Sequence, residues 1–115
     1  MKVSIITVCY NSAETIEKTI QSVISQSYQD IEYIIIDGGS YDGTLDILTK
    51  YRSKLSKVVS ESDDGIYDAM NKGIALATGD ITHILNSDDC YSNSDVIESI
   101  VSAFNRMIKI CFLQI

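Results

Sequence analysis

The apolar residues of this chain repeat with two periods that alternate along its length, and that alternation limits the possible folds more than any other feature. Val3 to Cys9 is a nearly continuous β-branched run, as expected of a strand buried on both faces. Ile16, Ile20, Val23 and Ile24 then fall on one face of a helix. Asn11 or Ser12 is its expected cap, with Glu14 placed to close a capping box with Asn11. Ile31 to Ile36 reads as a second buried strand ending at Asp37, and Gly38 to Gly43 as a turn. Leu45, Leu48, Tyr51 or Arg52, and Leu55 give a second helix its inner stripe. Lys57 to Glu61 is a short third strand, broken by Ser62-Asp63-Asp64-Gly65. Ile66, Ala69, Met70, Ile74 and Ala77 form a third helical stripe, with Gly79 as the expected C-cap. Ile81 to Leu85 is a fourth strand. A last helix starts near Ser94, with Val96 or Ile97, Ile100, Val101 and Phe104 turned inward.

Four consecutive βα units, with no linker, repeat or low-complexity stretch, specify an α/β chain. The expected form is a Rossmann-like parallel sheet with helices on both faces. A length of 115 residues makes one domain. Gly73 lies inside the third helix, where glycine costs about 1 kcal/mol against alanine, so close packing of helix on strand is expected there. In such sheets ligands bind outside the carboxyl ends of the strands. Asp37, Asp63, Asp64, Asp88 and Asp89 all follow strand ends and are expected on one rim.

Charge removes several function classes. Acids outnumber bases 16 to 9, a net charge of -7. Such a surface repels nucleic-acid phosphates and anionic headgroups. An anionic ligand must then be held by helix N-termini, backbone N–H groups or a metal ion. The three cysteines, Cys9, Cys90 and Cys111, form no CxxC pair and point to a reduced, cytoplasmic chain, with peripheral placement at the inner membrane face as its variant. The first residues give no signal-peptide core, and Asn105, Arg106 and Lys109 interrupt the apolar tail, so it is not a transmembrane span.

Three segments carry possible chemistry. Asn86-Ser87-Asp88-Asp89 sets two carboxylates at a strand end, which suits Mg²⁺ or Mn²⁺ with phosphate oxygens and water in the remaining positions; a turn capping the next helix is the plain alternative. In Asp37 to Gly43 the glycines let backbone approach a ligand and Asp37 could accept hydrogen bonds from a base or ribose, or Asp42 could simply cap a helix. The stretch is neither GxGxxG nor a P-loop. Asp63 to Gly73 feeds a helix N-terminus, which favours anions, with Asp68, Asn71 and Lys72 nearby; solvated helix polarity explains it equally. Tyr10 could stack on a nucleobase or stand idle on the rim. His83 is expected to be a packed residue, and no serine or cysteine sits in a G-x-S-x-G context.

In order, these segments resemble the N-terminal, nucleotide-sugar-binding half of family 2 glycosyltransferases of the GT-A fold, in the bacterial branch that builds cell-surface polysaccharides. The matching stretches are 3–11, 26–28, 32–44, 60–73, 77–80 and 86–89, within residues 2–104. The resemblance implies that Thr7, Val8, Tyr10, Asn11 and Asp37 hold the base and ribose of a nucleoside diphosphate sugar, such as a UDP-sugar. It implies that Asp64, Gly65 and the following helix with Asn71 flank the ribose and diphosphate. Asp88 and Asp89 would correspond to the family's metal motif, one touching the ribose or sugar and Asp89 foremost on Mn²⁺ or Mg²⁺. The implied reaction is sugar transfer with inversion to an acceptor hydroxyl, deprotonated by a carboxylate.

The chain departs from the pattern in places. Gly38 stands where many relatives carry a second aspartate, and Tyr41 where a small polar residue is usual. The family's general base and acceptor segment follow the metal motif, and residues 105–115 are an atypical tail, so the chain reads as truncated. A catalytically silent nucleotide-binding module is therefore the alternative, and a receiver-like signalling domain the remote one. The latter needs acids directly after the first strand, where this chain has Cys9-Tyr10-Asn11. An open sheet edge and the apolar tail would favour self-association into a homo-oligomer.

Overall fold

The computed structural model describes the backbone of residues 1–113 and the side chains of residues 1–108. The elements run β1 (Val3–Cys9), α1 (Ile16–Ile24), β2 (Ile31–Asp37), α2 (Thr44–Lys50), a short 3₁₀ turn (Arg52–Lys54), β3 (Lys57–Ser60), α3 (Ile66–Leu76), β4 (Ile81–Ile84) and α4 (Val96–Leu113). The strands form one sheet in the order β3-β2-β1-β4, and every pairing is parallel. The chain winds outward through β2 and β3, then crosses back to place β4 on the other side of β1. The order therefore reverses beside β1, which is where such sheets open a crevice.

Every residue of β1 is buried, as its continuous apolar run requires. Alternate side chains feed two cores. Val3, Ile5 and Cys9 pack with Ile16, Ile20, Val23, Leu48, Ile97 and Val101, which places α1, α2 and α4 on one face. Ile6 and Val8 pack with Ile34, Ile36 and Ala69 of α3 on the other. Gly73 permits that second contact: a Cβ there would sit 2.5 Å from Cγ2 of Ile6. The cost of a helical glycine is offset by bringing α3 down onto β1.

Several local expectations are corrected. The capping box does not form. Helix α1 begins at Ile16, and the preceding turn is closed by N–H groups of Thr15 and Ile16 donating to the Ser12 carbonyl. Asn11 is instead in the left-handed region, at φ 49°, with Oδ1 accepting from the Tyr41 N–H. Ile24, Leu45, Ile66, Ile74 and Phe104 lie outward rather than inward. The second helix stops at Lys50, and Leu55 reaches the core from extended backbone. The third strand ends at Ser60 and the fourth at Ile84. Gly79 does not cap α3, whose C-cap is Ala77; it lies against β1 and donates its N–H to Oγ of Ser4. His83 is packed as expected, its Nδ1 2.6 Å from the Tyr91 hydroxyl. Of the 105–115 tail, α4 continues through Leu113, while residues 114 and 115, and the Cys111 side chain, lie outside the described residues. No described helix is long and apolar enough to cross a membrane.

At the amino end of the sheet a buried acid ties four segments together. Glu32 accepts from the hydroxyls of Ser4 and Thr78 and from the Thr78 N–H, with Lys2 and Lys57 each 3.5 Å away. Burial pushes its carboxyl up. The Thr78 and Ser4 hydrogen bonds and the Lys57 charge outweigh that and bring it from 4.5 to about 2. A depressed carboxyl stabilises the fold above its unfolded value and loses that contribution as pH falls towards the folded one. Thermal melts should therefore lose stability as pH drops from about 4.5 to about 2, and Glu32→Gln should show a shallower acid loss than the parent. An equal slope in both would remove Glu32 from the account.

Candidate functional site

The crevice expected beside β1 is present as an open cleft of about 840 Å³ at the carboxyl ends of the strands. Its wall takes Val8 to Ser12 from the end of β1, Gly38 and Asp42 after β2, and Ser62, Asp63 and Gly65 after β3. Asn86, Ser87 and Asp88 after β4 complete it, with Glu14 and Thr15 before α1 and Ile66 and Ala69 of α3. Gly65 has φ 110° and ψ -176°, a conformation essentially confined to glycine, and it turns the chain directly into α3. No side chain caps that helix, so its first N–H groups remain for an anion.

The loops are held by one buried carboxylate. Asp37 has no exposed surface. Its oxygens accept from the N–H groups of Gly39 and Ser40 and from the hydroxyls of Ser40 and Ser60; the Cys9 thiol lies 3.4 Å away as a further donor. Burial pushes the Asp37 carboxyl up, but the bonds from Ser40, Ser60 and Cys9 prevail and hold it below the ordinary carboxylate range. Burial and the neighbouring Asp37 push the Cys9 thiol up, so it stays a neutral donor. Ser40 in turn accepts the Asn11 N–H, and the Ser12 hydroxyl lies 2.9 Å from that of Ser87, which joins the β1 and β4 loops.

Of the residues expected to bind, Val8, Tyr10, Asn11, Gly65 and Asp88 line the cleft together. Thr7, Asp37, Asp64, Asn71 and Asp89 do not. Thr7 is buried on the opposite side of β1 from Val8, its hydroxyl 2.8 Å from that of Tyr33. Asp37 is spent on the loops and does not reach the cleft surface. The Asp64 N–H donates to Asp68, and the Asp64 and Asn71 side chains are exposed outside the wall. Asp89 closes the β4 turn, its N–H donating to the Asn86 carbonyl. Lys72 is paired with Glu61 at 3.1 Å and Asp68 at 3.5 Å. Sequence reading named Ser12 as a cap and Ser87 within the 86–89 segment, but not their pairing across loops 75 residues apart.

Electrostatics decide what the cleft can hold. Glu14, Asp42, Asp63 and Asp88 line it, with no Lys, Arg or His among the described residues. Asn86, which lines the cleft as Asp88 does, has a buried Oδ1 with no hydrogen-bond partner among the described residues. An unpaired buried carbonyl oxygen is costly unless a partner satisfies it, and amide and carboxylate oxygens are the donor types a hard cation takes. No three described His, Cys, Asp or Glu side chains are grouped closely enough to hold a metal alone. Oxygens from a bound ligand would have to complete the shell.

The sequence and the fold both have known relatives. Glycosyl transferase family 2 matches residues 4–114. An uncharacterized glycosyltransferase of Mycobacterium tuberculosis is 41% identical over 104 residues, which cover 90% of this chain and 40% of that protein. The chain thus spans less than half the length of this relative. Among solved structures, TarS 1-349 of S. aureus in complex with UDP-GlcNAc superposes with a TM-score of 0.84 at 29% identity, covering 92% of this chain and 32% of that one. Mannosyltransferase PcManGT from Pyrobaculum calidifontis, in complex with GDP-Man and Mn²⁺, gives a TM-score of 0.77 at 27% identity, covering 84% and 30%.

Removing the acceptor that gathers the loops should be costly. Asp37→Ala should lower unfolding free energy in urea by about 3 kcal/mol or more, because several buried donors lose their partner together. A loss below about 1 kcal/mol would show that the loops hold without it.

Proposed function

This chain belongs to glycosyl transferase family 2, and on that premise we propose that the cleft is the donor site of an inverting, metal-dependent glycosyltransferase. The ligand is a nucleoside diphosphate sugar, with a UDP-sugar the first choice. The observation that carries the proposal is the wall itself, which among the described residues has four carboxylates and no basic side chain. A diphosphate cannot enter such a wall without a cation between the two.

The residues fit that requirement. Asp88 and the free Oδ1 of Asn86 would hold Mn²⁺ or Mg²⁺, with the neighbouring Asp89 as an outer partner. When bound, the ion neutralises charge that develops on the leaving diphosphate. The chain's own groups do the remainder of the binding. The uncapped start of α3 offers N–H groups to the anion, and Gly65 lets the ligand approach that backbone. Tyr10, 56% exposed, presents a ring face for a base. Ser12 and Ser87 keep the β1 and β4 loops in register across the ligand. No described residue is assigned to the acceptor or to the carboxylate that would deprotonate it. A cytoplasmic setting and a role in surface-polysaccharide synthesis belong to the same proposal. They rest on cysteine usage and on the resemblance.

UDP at about 100 times its Kd, with Mn²⁺, should stabilise the fold by about 2.7 kcal/mol and raise Tm by several degrees. EDTA or Asp88→Ala should remove most of that shift. If UDP, GDP and dTDP all give no metal-dependent shift, the donor-site proposal fails. Binding without sugar transfer would leave a nucleotide-binding module.

A further inference from the structure

Gly38 is not a glycine for reasons of backbone conformation, since only Gly39 and Gly65 among the glycines have positive φ. It is a glycine for space. A Cβ at position 38 would lie 2.8 Å from Oδ2 of Asp63 and 3.3 Å from its Cγ. The Asp63 carboxyl thus occupies the volume that a side chain at 38 would need. Both residues line the cleft. Oδ1 of Asp63 accepts the Gly65 N–H at 3.0 Å, which fixes the carboxyl group. Oδ2 accepts no hydrogen bond from any described residue and remains free for a ligand.

The position of this oxygen along the cleft selects what it meets. The cation pair, Asp88 and Asn86, follows β4 at one side of the sheet, whereas Gly38 and Asp63 follow β2 and β3. Strands lie about 4.8 Å apart, so two to three strand spacings, roughly 10–14 Å, separate the two ends. That is the reach of a nucleotide from diphosphate to base, with the ribose over the end of β1. A carboxylate at the diphosphate end would need a cation; at the far end it meets ring N–H donors.

We propose that Asp63 is the specificity-determining residue of the cleft, reading the pairing edge of the nucleobase, and that Gly38 is the clearance that admits its carboxylate. This rests on the donor-site reading. A single free acceptor oxygen matches a single ring N–H flanked by carbonyls, as in uracil or thymine. Cytosine presents a lone pair at the same ring position and is repelled. Asp63 therefore selects a uracil or thymine diphosphate against a cytosine diphosphate.

The test is calorimetric titration of the full chain with UDP and CDP in Mn²⁺, for the parent, Asp63→Asn and Gly38→Ala. The asparagine keeps an acceptor for the Gly65 N–H and adds an N–H donor for cytosine, so the fold is retained while the recognition changes. The alanine displaces only the tip of a side chain. The parent should prefer UDP at least tenfold. Asp63→Asn should lower the UDP to CDP ratio by tenfold or more, and Gly38→Ala should lower it severalfold. A parent that binds both nucleotides equally overturns the proposal. So does an unchanged ratio in Asp63→Asn, including equal loss of both nucleotides, which is what a merely structural role gives. A parent that binds neither nucleotide contradicts the donor-site reading itself, a result distinct from a lost preference.

Discussion

The cleft depends on one buried carboxylate. Asp37 ends β2 at the centre of the sheet, where three chain segments would otherwise diverge. It takes donors from Cys9 of β1, from Gly39 and Ser40 of its own loop, and from Ser60 of β3. A buried carboxylate is tolerable only when so satisfied. Once it is, the loops are fixed by charge-assisted bonds rather than by apolar contact, which a solvent-facing rim cannot supply. Tyr10, Asn11 and Gly38 sit where they do because their neighbours answer to Asp37.

On that rim the described residues include acids and no bases. The arrangement would be a liability for a diphosphate site if the protein acted alone. On the proposed donor-site reading a cation would turn it into a selectivity device, because the anion would be accepted only together with its ion. The buried Oδ1 of Asn86 has no hydrogen-bond partner among the described residues, which the proposed cation would supply. The ligand's own oxygens would be needed as well, since the described acids alone form no metal-binding group.

Much of the fold was legible because burial on both faces leaves a strong signature. Val3–Cys9 and Ile31–Asp37 could be read almost to the residue from their continuous apolar runs. Helix detail was less legible. Ile66 and Ile74 fit a helical stripe, yet the buried face of α3 is Ala69 and Gly73, because small residues let the helix approach β1. Asn11 and Glu14 fit a capping box by spacing, but spacing does not reveal that Asn11 adopts a positive φ to meet Tyr41. For the site, the rule of strand carboxyl ends pointed to the loops that line the cleft. It could not separate acids that face the cleft from those that hold it. Asp37 and Asp63 look alike in sequence, and only their hydrogen-bond partners distinguish a buried staple from a free acceptor.

The central claim is that cation and diphosphate enter this cleft together, at the loop after β4. Paramagnetic broadening of backbone amide signals by Mn²⁺ reads that directly. With UDP present, Mn²⁺ at trace levels should broaden the amides of Asn86 to Asp89 first and those of Gly65 and Ile66 next. Without UDP it should broaden them far less. Equal broadening without the nucleotide, or broadening centred elsewhere on the acidic surface, would contradict the account.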